Sequence, residues 1–544
     1  MLQLYNNSAG MNNKHFFGTI KMIVLFLLFL QVPFQLTYSK SPVSGNDSFR
    51  FLEMDITQIQ QGYKEGKFTI KDVVQAYLDR IEEMDKNGPA LHSIIMVNPD
   101  ALSIATALDK EMKQPGKAKG ALFGIPVVLK DNIDTHDKMP CTAGSRALMN
   151  SYPLQDSYVA KQLRAAGAVI IAKSNLSEWA NFRGQLSTSG WSGLGGLTKN
   201  PYVLSRNPCG SSSGSAVAVS ANLTVIAIGT ETDGSIVCPS QTNGIVGIKP
   251  TVGLISRGGV IPISSTQDTP GPMGRTVRDV AICLGAMVGV DSADVKTQDS
   301  PGHYYRDYTT FLKKDGLNGK RLGLFKAPYG INYKVDTLMN RAVAYLKSQG
   351  AEIIELQEIT NAETDKNENV IMLYEYKEGL NSYFRSLGPK ATIKSIDDLI
   401  AFNKADSIEL RYFNQHYLEQ ARDKGDLNSM EYKQALDSLM KGSRKEGIDK
   451  VMNANKLDAI IAPTGSPAWK SDLTNGDSFQ IGTSSPAAQA GYPDITVPMG
   501  FIDELPVGIS FFGRAWSEPV LLEIAYSYEQ GTKFRKVPGF LKED

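Results

Sequence analysis

Polar and apolar positions alternate at helical spacing on either side of Gly66 in residues 55–85, DITQIQQGYKEGKFTIKDVVQAYLDRIEEMD. After the break, Val73, Val74, Tyr77, Leu78 and Ile81 share one face, and Thr69 with Asp72 supplies a capping-box start. Two helices covering the outside of a sheet are predicted. The sheet itself is signalled by short apolar runs: ALFGIPVVLK at 121–130 and GAVIIA at 167–172, with a helical pattern at 157–165 between them in the βαβ manner. Runs at 320–325 and 352–356 flank a helical pattern at 335–348, another βα-type unit. Residues 366–450 are polar and helical, and read as a peripheral insertion. Strand-like LDAIIAP (457–463), ITVPMGF (495–501) and VGISFFG (507–513) then precede a final helix at 517–530.

From 184 to 272 the composition shifts to Gly, Ser, Thr and Pro, broken by short apolar strands at Val225–Ile228 and Ile245–Ile248. Long polar loops pinned to buried strands are where an α/β enzyme keeps its site. No G-x-x-x-x-G-K-[ST] occurs and no G-x-G-x-x-G follows a strand, so these loops do not read as nucleotide-binding.

The 544 residues, 42% of them hydrophobic, suffice for a large buried core. Lys plus Arg equals Asp plus Glu at 57 each, so no global field attracts nucleic acid or an anionic membrane surface, and a small, roughly neutral substrate fits better than a polyanion. Residues 11–40 carry Lys14 and Lys21, an apolar core from Met22 to Leu30, and small or polar residues near Ser39. That layout predicts a secretory signal, with residues 1–39 as leader and N-terminal extension; a retained membrane anchor is the alternative. Gln31, Pro33 and Gln35 stop the run short of the roughly 20 apolar residues that span a bilayer. An oxidising destination makes Cys141, Cys209, Cys238 and Cys283 possible partners in three pairings, but they are sparse and lack C-x-x-C spacing; small buried thiols are the favoured reading, neither a zinc site nor a disulfide scaffold is indicated, and a link between Cys209 and Cys238 stays open.

Gly210 to Gly214, GSSSG, contains the G-x-S-x-G of a nucleophile elbow. The preceding KNPYVLSRNPC has little strand pattern, and only His303 and His416 lie downstream, so a Ser-His-Asp hydrolase fits poorly. A lysine can replace histidine as base if its pKa falls from roughly 10.4 to near 7, about 4 kcal/mol of desolvation or neighbouring positive charge. Such a lysine belongs at the end of a buried segment, and Lys130, which closes the apolar run GIPVVLK, stands at one. In LTVIAIGTETDGSIVCPS a buried strand runs into a second polar loop, whose Thr232, Asp233, Gly234 and Ser235 amides converge as an oxyanion site. About nine helical residues out and about six strand residues back let this loop and the GSSSG loop meet.

GIPVVLKDN at 124–132, CGSSSGSAVAVS at 209–220, GTETDGSIVCPS at 229–240 and GIVGIKPTVG after it resemble the motifs of the amidase signature family, in order. The likeness extends to AGYPDITVPMGF and LPVGISFFGRA near the C-terminus. It implies one α/β domain over 50–540, a central mixed sheet covered by helices on both faces, with 366–450 as a helical insertion. It also implies a Ser-Ser-Lys triad: Ser235 as nucleophile, Ser211 (typically preceded by a cis peptide bond) as proton relay, and Lys130 as base. Thr232, Asp233, Gly234 and Ser235 supply the oxyanion amides, Ser212 supports the network, and no metal, cofactor or obligate protein partner is needed. Cys209, Ser213 and Asp233 stand where many members have glycine. Val237 replaces an arginine that would clamp a substrate carboxylate, and GTETDGSIVCP with TQDTPGPMGRTVRD (266–279) is most similar to the peptide amidase branch, which deamidates C-terminal peptide amides. Alternatives are a lipid or small aliphatic or aromatic amide hydrolase, a glutamine-dependent amidotransferase A-type subunit, and a silent binding protein on the same scaffold. Trp179, Phe182, Trp191 and Tyr202 are candidates for an apolar cleft wall.

Overall fold

A computed structural model describes residues 49–114, 119–360 and 362–543; the leader expected at 1–39 lies outside them. Among the described residues no helix is long and apolar enough to cross a membrane.

The framework is an eleven-stranded mixed sheet. From edge to edge it runs Ile94–Val97, Val169–Ser174, Pro126–Lys130, Ile226–Glu231, Thr269–Gly274, Val246–Lys249, Asp494–Ile502, Leu505–Phe512, Ala459–Pro463, Arg321–Phe325 and Glu352–Leu356. Helices cover both faces, as the amidase signature resemblance implies. The strands that carry the site are parallel neighbours, with Val127, Val128 and Leu129 opposite Ile226, Ala227 and Ile228. Both are buried along their whole length, which is why they read as continuous apolar runs and not as alternating ones.

The capping box at Thr69 and Asp72 starts Ile70–Arg80, which buries Val73, Val74 and Tyr77; Leu78 lies half-buried beside them. Ala121 to Ile125 does not join the strand that follows. Gly124 sits at φ +75° in a turn, where a Cβ would meet Ile70 and Tyr63 side-chain atoms at 2.8 Å. Helix Ser213–Ser220, SGSAVAVS, is buried at every position, so its small residues serve close packing on the sheet. Between Glu352–Leu356 and Ala459–Pro463 lie helices Ala362–Ser386, Ile396–Ala405, His416–Arg422 and Met430–Met440. The first three share a hydrophobic cluster with Trp179, Phe182, Ile261 and Ile263, built from residues such as Tyr376, Leu380, Phe384, Leu399 and Leu418, while Met430–Met440 packs Tyr432, Ala435 and Leu439 on Ile371 and Tyr374. Arg183, buried, joins Glu178 (3.0 Å) to Glu409 (3.4 Å) across the same seam.

Candidate active site

The parallel register places the ends of Pro126–Lys130 and Ile226–Glu231 side by side, so Lys130 emerges next to Thr230. Lys130 Nζ donates to Ser211 Oγ (2.7 Å), Thr230 Oγ1 (2.8 Å) and Thr230 O (3.1 Å). Burial lowers its pKa to about 7, against the opposing carboxylates of Asp268 and Glu231. Asn132 Nδ2 donates to Thr230 Oγ1 at 3.0 Å and fixes that hydroxyl.

Two hydrogen bonds of Ser212 bring the serine loops together. Ser212 N donates to Ser235 O at 3.2 Å, and Ser212 Oγ bonds the Thr230 backbone, donating to its O at 3.0 Å. The Gly210–Ser211 peptide is cis. Cys209 and Cys238 form a disulfide, with Cα atoms 6.0 Å apart, linking the chain before Ser211 to the helix after Ser235. This corrects the favoured reading of all four cysteines as thiols and answers the open question of a Cys209–Cys238 link; among the described residues Cys141 and Cys283 are free and buried. Sequence left this pairing open because it depends on two loops meeting, not on the spacing of 29 residues.

Ser211, Thr232, Asp233, Gly234 and Ser235 all line one cleft of about 410 Å³. Among the described residues, none of the N–H groups of 232–235 donates to a protein acceptor. Four unspent donors beside a serine can receive an oxyanion. Gly234 is at φ +77°, where other residues are strained, and its missing Cβ leaves room beside Ser484 Oγ. The Asp233 carboxylate accepts from Ser484 Oγ (2.5 Å) and Ser485 Oγ (2.6 Å), tying the loop to the start of helix Ser485–Ala490. Burial raises its pKa. Thr232 Oγ1 donates to Asp268 (2.6 Å), and Glu231 accepts from the amides of Ile236 (2.7 Å) and Val237 (3.0 Å). Thr230, Glu231 and Asp268 were not singled out from sequence; a Glu four to five positions ahead of a predicted helix start was the available signal for Glu231 alone.

A family model described as amidase matches residues 72–522. The chain belongs to the amidase family. It is a hydrolase of carbon–nitrogen bonds. A protein of Arabidopsis thaliana described as a probable amidase is 40% identical over 538 residues, covering 97% of this chain and 99% of the relative. The native peptide amidase of Stenotrophomonas maltophilia is 47% identical, with a TM-score of 0.87, covering 90% of this amidase and 99% of that structure. A glutamyl-tRNA(Gln) amidotransferase chain of Alkaliphilus metalliredigens is 32% identical over 493 residues, 88% of this chain and 96% of that one.

The wall of this amidase's cleft differs from the sequence expectation. Of the four aromatic candidates only Phe182 lines it. Trp179 packs on Phe384, Trp191 on Phe413 and Tyr202 on Phe501, all buried by long-range contacts that local pattern does not reveal. The apolar wall comes instead from Ile263, Met372, Trp469 and Phe479. Among the described residues lining the cleft there is no Lys, Arg or His; Arg257 lines a small adjoining cavity that shares Ala180, Thr232 and Ile263 with it. His303 stacks on Trp516, and His416 begins a helix outside the cleft.

Proposed function

We propose that this amidase hydrolyses neutral amides through Ser235, Ser211 and Lys130, releasing ammonia from C-terminal peptide amides. The observation that carries the reading is the buried Lys130, poised near pKa 7 and hydrogen-bonded to Ser211. In its neutral form two N–H groups satisfy Thr230 O and Oγ1, which leaves the lone pair directed at Ser211. Ser211 then passes its proton to Nζ as it accepts the proton of Ser235 Oγ, and Ser235 attacks the amide carbon. The unspent amides of 232–235 receive the developing oxyanion, with Ser212 holding the two loops in register. The relay returns the proton to nitrogen, ammonia leaves, and water attacks the acyl-Ser235 ester by the same route. Overall, amide and water become carboxylate and ammonium.

The peptide amide assignment is supported by the likeness to the Stenotrophomonas enzyme and by the cleft's lack of cations. A glutaminase must hold an α-carboxylate, which this lining does not favour. The catalytic domain spans 50–540 in this reading, and 366–450 is its insertion, contributing Met372 to the cleft. An exported enzyme fits the leader-like residues 1–39 and the disulfide. The test is ammonia release by the mature chain from an amidated hydrophobic peptide and, separately, from glutamine. Release from the peptide amide, lost in Ser235→Ala with the fold intact, is expected. Release from glutamine alone, or persistence in Ser235→Ala, overturns the assignment.

A further inference from the structure

The cleft lining is unbalanced in charge: it holds two carboxylates, Asp233 and Asp477, and no cation among the described residues. Asp233 is enclosed by Ser484 and Ser485. Asp477 is half-buried on the opposite loop, held only by neutral donors. Its oxygens accept from Ser189 N (3.1 Å) and Oγ (2.6 Å), Trp469 Nε1 (3.1 Å) and Asn207 Nδ2 (3.4 Å). These neutral donors fix the carboxylate in place and oppose the rise that burial imposes on its pKa, and it has no ion pair among the described residues. Trp469 and Phe479 flank it in sequence, line the same cleft and meet edge to face, 5.6 Å between centroids. Phe479 is 50% exposed, leaving ring surface for a ligand. A fixed carboxylate beside aromatic faces attracts cations twice over, through its charge and through the ring quadrupoles.

We propose that Asp477, Trp469 and Phe479 form a cation-accepting subsite. The enzyme then favours amides whose acyl part carries a lysyl or arginyl side chain or a protonated amino terminus, and rejects those carrying a carboxylate. This rests on the reading that Ser235 acts on amides bound in this cleft, and it adds a charge preference which that reading does not require.

The test is calorimetric titration of full-length Ser235→Ala with N-acetylated tripeptide amides carrying lysine, norleucine or glutamate at each position in turn, the other residues being alanine. At one position or more, lysine should bind at least tenfold tighter than glutamate, with norleucine between. The ratio should shrink severalfold when salt is raised from about 20 to about 500 mM. Adding Asp477→Asn should collapse it below threefold, whereas a general loosening of the loop lowers all three affinities alike and leaves the ratio. Should that variant not fold, Phe479→Leu reads the aromatic part and should cut the lysine-to-norleucine ratio at least twofold. Ratios within threefold at every position, a preference for glutamate, no binding of any peptide, or a ratio that survives the substitutions overturns the subsite. A peptide that Ser235→Ala binds with this preference but from which the wild type releases no ammonia refutes the amide reading and leaves the subsite standing.

Discussion

Raising the pH from 5 to 9 should switch the amidase on through one group. With a pKa of about 7, Lys130 is neutral in about one hundredth of molecules at pH 5, about half at pH 7 and nearly all at pH 9. An ordinary lysine at pH 7 is neutral in only about three molecules in ten thousand, so burial enriches the competent base by roughly 10³, about 4 kcal/mol. The sign follows from the cause: desolvation penalises the ammonium, and the folded pKa lies below the unfolded one. Log kcat/KM for ammonia release should therefore rise with unit slope below about pH 6.5, pass its midpoint near 7 and level off above 8. Lys130→Arg keeps a cation that does not deprotonate, and should lower kcat/KM by at least ~10³ across the whole range. Stopped-time ammonia assays on both proteins, with far-UV circular dichroism to confirm folding, decide the matter. A profile that falls between pH 6 and 8, or an arginine variant with the wild-type profile, refutes the lysine base.

Asp268 opposes the depression of the Lys130 pKa, so Asp268→Asn should move the midpoint of the pH–rate profile to lower pH by up to about one unit, while kcat falls because one amide oxygen cannot serve both Thr232 Oγ1 and the amides of Ile263 and Ser264. A midpoint that stays put or moves upward counts against Asp268 acting on Lys130. Gly234→Ala places a side chain at φ +77° beside Ser484 Oγ, at a local cost of about 1–2 kcal/mol. Disturbing the 232–235 amides should cost roughly 10²–10³ in kcat with little change in KM, and an unchanged kcat would show that these donors are not used. Cys209→Ser with Cys238→Ser opens a loop whose closure is worth about 3–4 kcal/mol in the chain-entropy model. The guanidinium midpoint should drop, and reductant should lower the wild-type midpoint toward the variant's; superimposable curves argue against a bridge in solution.

Lys130 was legible because a charge that closes a buried run must be explained, and its burial is the explanation. Ser211 and Ser235 were legible as motif positions, yet what makes them a site was not. Thr230, which takes two of the Lys130 hydrogen bonds, lies 100 residues away and becomes a neighbour only through parallel strand register. Asp233 sits where many family members have glycine, and from sequence it registers only as a departure. In the folded chain it is a tie from the 232–235 loop to Ser484, 251 residues later. The aromatic run at 179–202 shows the same limit from the other side: composition suggested a cleft, but helix Ala362–Ser386 covers Trp179 with Phe384 and leaves Phe182 alone at the opening. The C-terminal loop that supplies Trp469, Asp477 and Phe479 has no periodicity to betray it. Local pattern thus reveals groups whose own burial is anomalous, whereas contacts between distant segments set which groups face the substrate. On the proposed reading, chemistry rests on three short motifs and selectivity on the loops that reach them from elsewhere in the chain, so substitutions at Asp477 or Phe479 should alter substrate range while leaving in place the pH midpoint expected from Lys130.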